Sequence, residues 1–383
     1  MKQYPKNLLL GHILFFFIGF APFALINALW AEVPIFSSTL PEHSAIGSTI
    51  GFWYNWCNLF PFLYVFFAGK LDEYFSSLFL FIVAVVSTFL TGLYWDLIVN
   101  NHALGVIIFS LLSGFVGCTS MVTLFTFVKK YRRVYVSAVS VGMASSGFFT
   151  SFLALIQNVG HSPKFSPFVY FSILSLVLTL SVIAMILVPL CLRKEAPVET
   201  SSALLINGDE ISTSTVQLIK RALEPLLNIL LISVFYYFYM PGMLPYFANS
   251  FPNSDKIYSI SNTVFQVANV VGRFFPALLV LNPSYLTGIC FYLFEIAFCF
   301  SVIGPRYPGI FGDHGYVVVV ISALMSLFQG YIATTVYMVV DFRISSATDQ
   351  KKVTKWAALL NQLGSMTGSW SCYLLTNLGV FVD

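Results

Sequence analysis

Leu25-Ile26-Asn27-Ala28-Leu29-Trp30-Ala31-Glu32-Val33-Pro34 closes an apolar run that starts at Leu8 and holds nothing more polar than His12 before Asn27. A helix rising about 1.5 Å per residue from Leu8 to Trp30 covers about 35 Å, enough to cross the hydrocarbon of a bilayer with some tilt. Asn27 then lies one turn inside the helix end, where an unpaired amide is costly and needs a partner. The run therefore reads as a membrane span with a polar feature on its inner face.

Composition extends that reading to the whole chain. Of 383 residues, 58% are hydrophobic and 9% charged, where a soluble protein carries about 25% charged. A net charge of +3 is too small to suggest nucleic acid as a partner. The six cysteines show no paired spacing with each other or with histidine, so neither a metal site nor a disulfide framework is expected. They read as small core residues. The first apolar run is longer than a signal-peptide core, and no cleaved signal is expected.

Run length and flanking charge give eleven spans, near residues 8–30, 44–68, 75–99, 102–128, 134–158, 167–191, 219–247, 257–281, 284–304, 316–341 and 354–380. With the N-terminus in the cytosol, fifteen of the nineteen lysines and arginines fall on the cytosolic side. These are Lys2, Lys6, Lys70, Lys129, Lys130, Arg132, Arg133, Arg193, Lys194, Lys220, Arg221, Arg343, Lys351, Lys352 and Lys355. The positive-inside rule then predicts a cytosolic N-terminus and an extracellular C-terminus. Glu195 to Thr215 is polar and free of aromatics, and reads as a cytosolic linker. The expected domains are a six-helix bundle over 1–192, a linker over 193–218 and a five-helix bundle over 219–383. Two bundles joined by such a loop suit a rocking transporter with its substrate near the midplane. The histidines are scattered and no Gly-rich phosphate loop is present, which disfavours a membrane enzyme and an ATP-driven pump and predicts no cofactor.

Polar side chains inside apolar runs carry the functional information. Asn27 and Trp30 lie in span 1, Asn55 and Asn58 before Pro61 in span 2, and Ser120 and Thr123 in span 4. Gln157 closes span 5. Tyr236, Tyr237 and Tyr239 precede Pro241-Gly242-Met243-Leu244-Pro245, which should break span 7 near its end. Asn262, Gln266, Asn269 and Arg273 are spaced to share one helical face in span 8. Such a stripe lines a wet interior or acts as interhelical glue. Asn361, Gln362 and Ser365 mark span 11. Glu295 reads functionally as a protonatable coupling site and structurally as a neutral acid on a peripheral helix. Glu32 reads as a mouth or gating element, or as a solvated carboxylate.

These blocks resemble the eukaryotic riboflavin transporters. Ile26-Asn27-Ala28-Leu29-Trp30-Ala31-Glu32-Val33-Pro34, followed by Leu40-Pro41-Glu42, is similar to that family's opening. Asn58-Leu59-Phe60-Pro61 and Cys118-Thr119-Ser120-Met121-Val122-Thr123 follow at matching distances, then Gly142-x-x-x-Ser146-Gly147, Ala154-Leu155-Ile156-Gln157, Phe165-Ser166-Pro167, Gly242-Met243-Leu244-Pro245 and Gln362-Leu363-Gly364-Ser365. The resemblance implies an all-α polytopic membrane protein of eleven helices, in a major-facilitator-like arrangement of six plus five. It also implies sodium-independent riboflavin uptake across the plasma membrane. Met143, Pro241 and Thr126 depart from the family pattern. Gly272-Arg273 resembles a motif of equilibrative nucleoside transporters, but Asn269 stands where that motif has aspartate.

Riboflavin is a flat tricycle with a hydrogen-bonding edge and a polyhydroxyl tail, so its site needs aromatic faces, amides and hydroxyls with little net charge. Asn27, Trp30, Asn58, Ser120, Thr123, Gln157, Tyr239, Gln266 and Gln362 are the expected substrate-binding residues, and Glu32, Arg273 and Glu295 the candidates for coupling or gating. A nucleoside or nucleobase would fit the same inventory, and a non-transporting receptor or scaffold is the alternative of a different class. A monomer in the lipid bilayer is expected.

Overall fold

The computed structural model describes residues 8–67, 72–128, 130–131, 135–159, 162–192, 215–277, 281–307, 310, 312, 315–344 and 346–382. Most of the expected linker lies outside these residues, as do Lys2, Lys6, Lys70, Lys129, Arg132, Arg133, Arg193 and Lys194. The chain forms two compact units, Met1–His43 with Trp53–Ser201 and Ser44–Phe52 with Ser202–Asp383.

The helices in chain order are α1 (Leu8–Ala31), α2 (Val33–Thr39), α3 (Ile46–Trp56), α4 (Phe60–Phe67), α5 (Glu73–Tyr94), α6 (Leu104–Val128), α7 (Tyr135–Gln157) and α8 (Pro167–Cys191). They continue with α9 (Thr215–Phe238), α10 (Leu244–Ala248), α11 (Ser254–Phe274), α12 (Pro283–Ile303), α13 (Tyr316–Arg343) and α14 (Ala347–Asn377). Among the described residues, seven helices are long and apolar enough to cross a membrane: α1, α5, α6, α7, α8, α12 and α13, with α6 qualifying over Leu104–Leu124 and α13 over Tyr316–Val336. The other four spans read from the sequence also fall on helices. They are broken, as in α3–α4, or carry more polar and charged side chains, as in α9, α11 and α14.

Local sequence accounts for the starts and breaks. Asp72 caps α5 by accepting from the amides of Tyr74 at 2.9 Å and Phe75 at 3.1 Å, satisfying donors that have no partner within the helix. Ser166 precedes Pro167 at the first position of α8, where a missing N–H costs nothing. Span 2 is broken between α3 and α4 by a tight turn over Cys57–Leu59. Pro61 has no N–H to give the Cys57 carbonyl four residues back, and the Phe60 amide bonds that carbonyl instead. Span 7 kinks after α9. Met240, which precedes Pro241, leaves the helical region at φ −111° and ψ 115°, because a residue before proline is pushed toward extended backbone.

In the first unit, α1 packs mainly on α7 and also against α8 and α6, while α5 packs on both α6 and α8. The α1–α7 contact is close because both helices present glycine. A Cβ on Gly142 would collide with the Phe16 carbonyl, and one on Gly19 with the Val139 carbonyl. Small residues allow this approach where the bilayer offers no hydrophobic drive between helices. Phe15 stacks on Tyr135 at 4.9 Å beside it.

In the second unit, α11 packs on α13, and α9 packs on α14, α13 and α12. Ser44–Phe52, which in sequence opens the second span, is part of this unit. Ser44 accepts from Asn249 Nδ2 at 2.9 Å, and the Phe52 ring stacks on Tyr373 at 4.2 Å. The boundary between the units thus passes through α3.

Candidate functional site

The first unit gathers seven of the expected residues. Asn27 is buried on α1 and donates through Nδ2 to Ser146 Oγ at 3.1 Å. Ser146 in turn donates to the Met143 carbonyl on its own helix at 2.7 Å. Span 1's amide thus meets the same α7 face that carries Gly142. One turn on, the buried Trp30 indole meets Tyr54 edge-on at 6.2 Å. Asn58, in the turn ahead of Pro61, donates to Asn55 Oδ1 at 2.9 Å and accepts from Cys118 Sγ at 3.1 Å. This ties span 2 to the Cys118-Thr119-Ser120 block of α6.

Hydroxyls on that block have a different status. Ser120 and Thr123 are both fully buried, and their oxygens, with that of Thr119, have no hydrogen-bond partner among the described residues. Ser and Thr hydroxyls inside a span usually bond the carbonyl one turn back. These three keep their capacity, and a buried polar group without a partner costs free energy unless a ligand or water completes it.

Glu32 follows the last residue of α1 and leads into α2, whose start it marks. It is completely buried. Gln157, at the end of α7, donates through Nε2 to the Phe165 carbonyl at 3.1 Å. Among the described residues neither Glu32 carboxyl oxygen has a fully formed hydrogen bond, and neither has Gln157 Oε1. Burial raises the Glu32 carboxyl from its ordinary 4.5 to about 8, against a smaller opposing effect of the Gln157 side chain. At neutral pH the acid is largely protonated. A proton on it could be given to Gln157 Oε1, an acceptor left over once Nε2 is spent on Phe165.

The second unit holds the other five. Tyr239 is fully buried, its hydroxyl paired with Ser322 Oγ at 2.6 Å and its ring stacked on Phe265 at 6.1 Å. Gln266 is buried on α11 with Asn262 and Asn269. Asn269 donates to Gln329 Oε1 at 2.5 Å and accepts from Arg273 Nε at 3.0 Å. The stripe is therefore one buried face ending in Arg273, which is exposed. Gln362 is half-buried on α14, and its neighbour Asn361 accepts from Ser233 at 2.7 Å. Glu295 is exposed on α12. Sequence reasoning missed the partners Gln329, Ser322 and Tyr54. Only Gln329 carries a signal of its own, an amide within an apolar run.

By fold the chain is a helical membrane protein with a major-facilitator-like architecture. Its structure is similar to an auto-inhibited peptide transporter of the POT family, with 12% identity and a TM-score of 0.63 over 96% of this chain and 90% of that one. It is also similar to the nucleoside transporter NupG, with 12% identity and a TM-score of 0.60 over 97% and 93%.

Residues 7–164 match the family described as solute carrier family 52, riboflavin transporter. Over 160 residues the chain is 29% identical to riboflavin transporter 2 of Salmo salar, covering 40% of this chain and 35% of that protein. Over 159 residues it is 26% identical to solute carrier family 52, riboflavin transporter, member 3 of Homo sapiens, covering 39% and 34%. The match thus spans about a third of the length of these curated relatives. The resemblance to riboflavin transporters is borne out across the opening motif and the blocks of spans 2, 4 and 5. The blocks at Phe165, Gly242 and Gln362 lie beyond the matched residues.

Proposed function

We propose that the protein is a riboflavin transporter of the plasma membrane, carrying the vitamin into the cell by alternating access without sodium. The observation that carries this reading is the buried Thr119, Ser120 and Thr123 hydroxyls without partners among the described residues, inside the stretch that matches the riboflavin transporter family. They offer donors and acceptors with no net charge, which is what a neutral isoalloxazine edge and a ribityl tail require. Asn27, Trp30, Asn58 and Gln157 are the further polar and aromatic groups that the first unit contributes. Tyr239, Gln266 and Gln362 are the second unit's contribution to substrate recognition. Glu32, Arg273 and Glu295 are the groups for coupling or gating, with Glu32 set apart by its burial. The protein works as a monomer, as a transporter and not an enzyme, organised as bundles over 1–192 and 219–383. Its N-terminus is cytosolic and its C-terminus extracellular.

Radiolabelled riboflavin uptake, in cells lacking an uptake system of their own, tests this. Saturable uptake is expected, competed by lumiflavin and not by uridine or adenosine. Saturable uridine uptake without riboflavin uptake would replace riboflavin by a nucleoside, and no flux of either would leave a receptor or scaffold. Asn27→Ala and Gln362→Ala should each lower uptake several-fold at unchanged surface expression, as expected when a polar contact of about 1 kcal/mol is lost. Normal transport in both would remove them from the site.

A further inference from the structure

Span 7 changes direction between α9 and α10. Tyr239–Met243 form one widened turn, and Met240 within it is non-helical. Such a turn interrupts the regular hydrogen-bond ladder. The helix that follows, α10, is five residues long, too short to hold an orientation by its own hydrogen bonds. Its placement comes from tertiary contacts. Phe300 of α12 supplies one, meeting Phe247 at 5.6 Å.

Another comes from beyond the end of α14. Gly379 takes φ +70°, a left-handed conformation that glycine adopts without steric cost. The Gly379 amide donates to the Thr376 carbonyl at 3.0 Å, and the Val380 amide to the Leu375 carbonyl at 3.1 Å. This pair of bonds ends the helix and turns the chain back. Arg306, which follows α12, holds the turned segment by donating through Nη2 to the Val380 carbonyl at 3.1 Å and the Gly379 carbonyl at 3.4 Å. Phe381 is thereby carried inward. It is buried, while Gly379 and Val382 are exposed.

The Phe381 ring stands across the break in span 7. It meets Phe238, the last residue of α9, edge-on at 6.4 Å and stacks on Tyr246 of α10 at 5.1 Å. Phe298 of α12 closes a third side, edge-on at 5.6 Å. All three are favoured arrangements of aromatic rings. One side chain thus touches the helix before the break, the helix after it and a neighbour of both. Tyr239 directly follows Phe238, and its ring meets Phe247 of α10 edge-on at 6.5 Å. The angle between α9 and α10 therefore sets what surrounds Tyr239.

We propose that Phe381 is a positioning residue: clamped by Arg306, it is a strut that fixes α10 against α9 and so holds Tyr239 in place for substrate. The link to substrate rests on the reading of Tyr239 as a substrate contact, whereas the strut stands on the packing alone.

The test uses the full chain in nanodiscs. Amide hydrogen exchange is followed by mass spectrometry on peptides covering 239–249, and on peptides of α11 and α13 in the same unit. Phe381→Ala should speed exchange over 239–249 about ten-fold, because contacts on both sides of the break are lost, and leave α11 and α13 unchanged. Phe381→Leu, which keeps apolar volume, should fall between. Arg306→Ala alters an exposed side chain and should speed the same peptides about three-fold. It decides if Phe381→Ala does not fold. In riboflavin uptake, Phe381→Ala should raise KM about five-fold with the maximal rate per surface-expressed molecule unchanged. Unchanged exchange over 239–249, or faster exchange spread equally over α11 and α13, would overturn the strut. Faster local exchange with an unchanged KM would overturn the link to Tyr239. If the wild type carries no riboflavin, the transport reading falls and takes that link with it, while exchange still decides the strut.

Discussion

Replacing Glu32 by glutamine is expected to raise the thermal midpoint near pH 8 and to flatten its dependence on pH. The carboxyl is completely buried without a fully formed hydrogen bond, and it holds its proton to about 8 in the folded chain against an ordinary 4.5. Below pH 4.5 both folded and unfolded chains are protonated, and the group contributes nothing to pH dependence. Between 4.5 and about 8 the unfolded chain releases the proton while the folded chain retains it, so stability falls as pH rises. Above about 8 both forms are ionised and the loss is complete, on the order of 5 kcal/mol. Glutamine is neutral throughout and can donate its amide to Gln157 Oε1. Thermal unfolding of wild type and Glu32→Gln in nanodiscs, at pH about 5, 6.5 and 8, measures the difference. Equal pH slopes in the two proteins would show that the Glu32 carboxyl does not titrate with folding.

Gly142→Leu is expected to be the most damaging single substitution in the first unit. A Cβ there collides with the Phe16 backbone carbonyl, which cannot rotate away as a flexible side chain could. Relief requires α1 and α7 to separate, loosening the Asn27–Ser146 hydrogen bond one turn further along. Overpacking costs about 1–3 kcal/mol, and loss of the buried amide pair adds about 1 kcal/mol. Surface expression and thermal midpoint should both fall sharply, and Gly142→Ala should lie between Gly142→Leu and wild type. Gly288→Leu, placed where the structure is open, should leave the midpoint unchanged. If the two leucine variants behaved alike, close approach of α1 and α7 at Gly142 would not be the cause.

The sequence made much of the architecture legible, and for identifiable reasons. Apolar runs as long as α1 and α8 have no other stable use than spanning a bilayer, and proline announced the break at Pro241, whereas span 2, read as one run, is broken at Cys57–Leu59. The spacing of Asn262, Gln266 and Asn269 correctly put three amides on one buried face. Partnership was not legible. Asn27 needed a donor or acceptor, but that it would be Ser146 depends on which helices meet, and nothing local in span 1 encodes that. Depth also failed as a guide. Glu295 lies far inside an apolar run yet is exposed, while Glu32, beyond the end of one, is completely buried. Position along a helix fixes height in the membrane, whereas burial depends on which side of the helix its neighbours cover.

Nine residues, Ser44–Phe52, pack with a unit whose remaining residues begin at Ser202. During synthesis they emerge about 150 residues before those partners, and at about 5–20 residues per second they wait for many seconds. In that interval Phe52 lacks Tyr373, and Ser44 lacks Asn249. The first part of α3 therefore cannot finish packing as the ribosome releases it, and insertion of the later helices completes an earlier one. A chain ended after Leu192 should depend on chaperones and be degraded quickly. Co-expression with the missing C-terminal part should restore its lifetime.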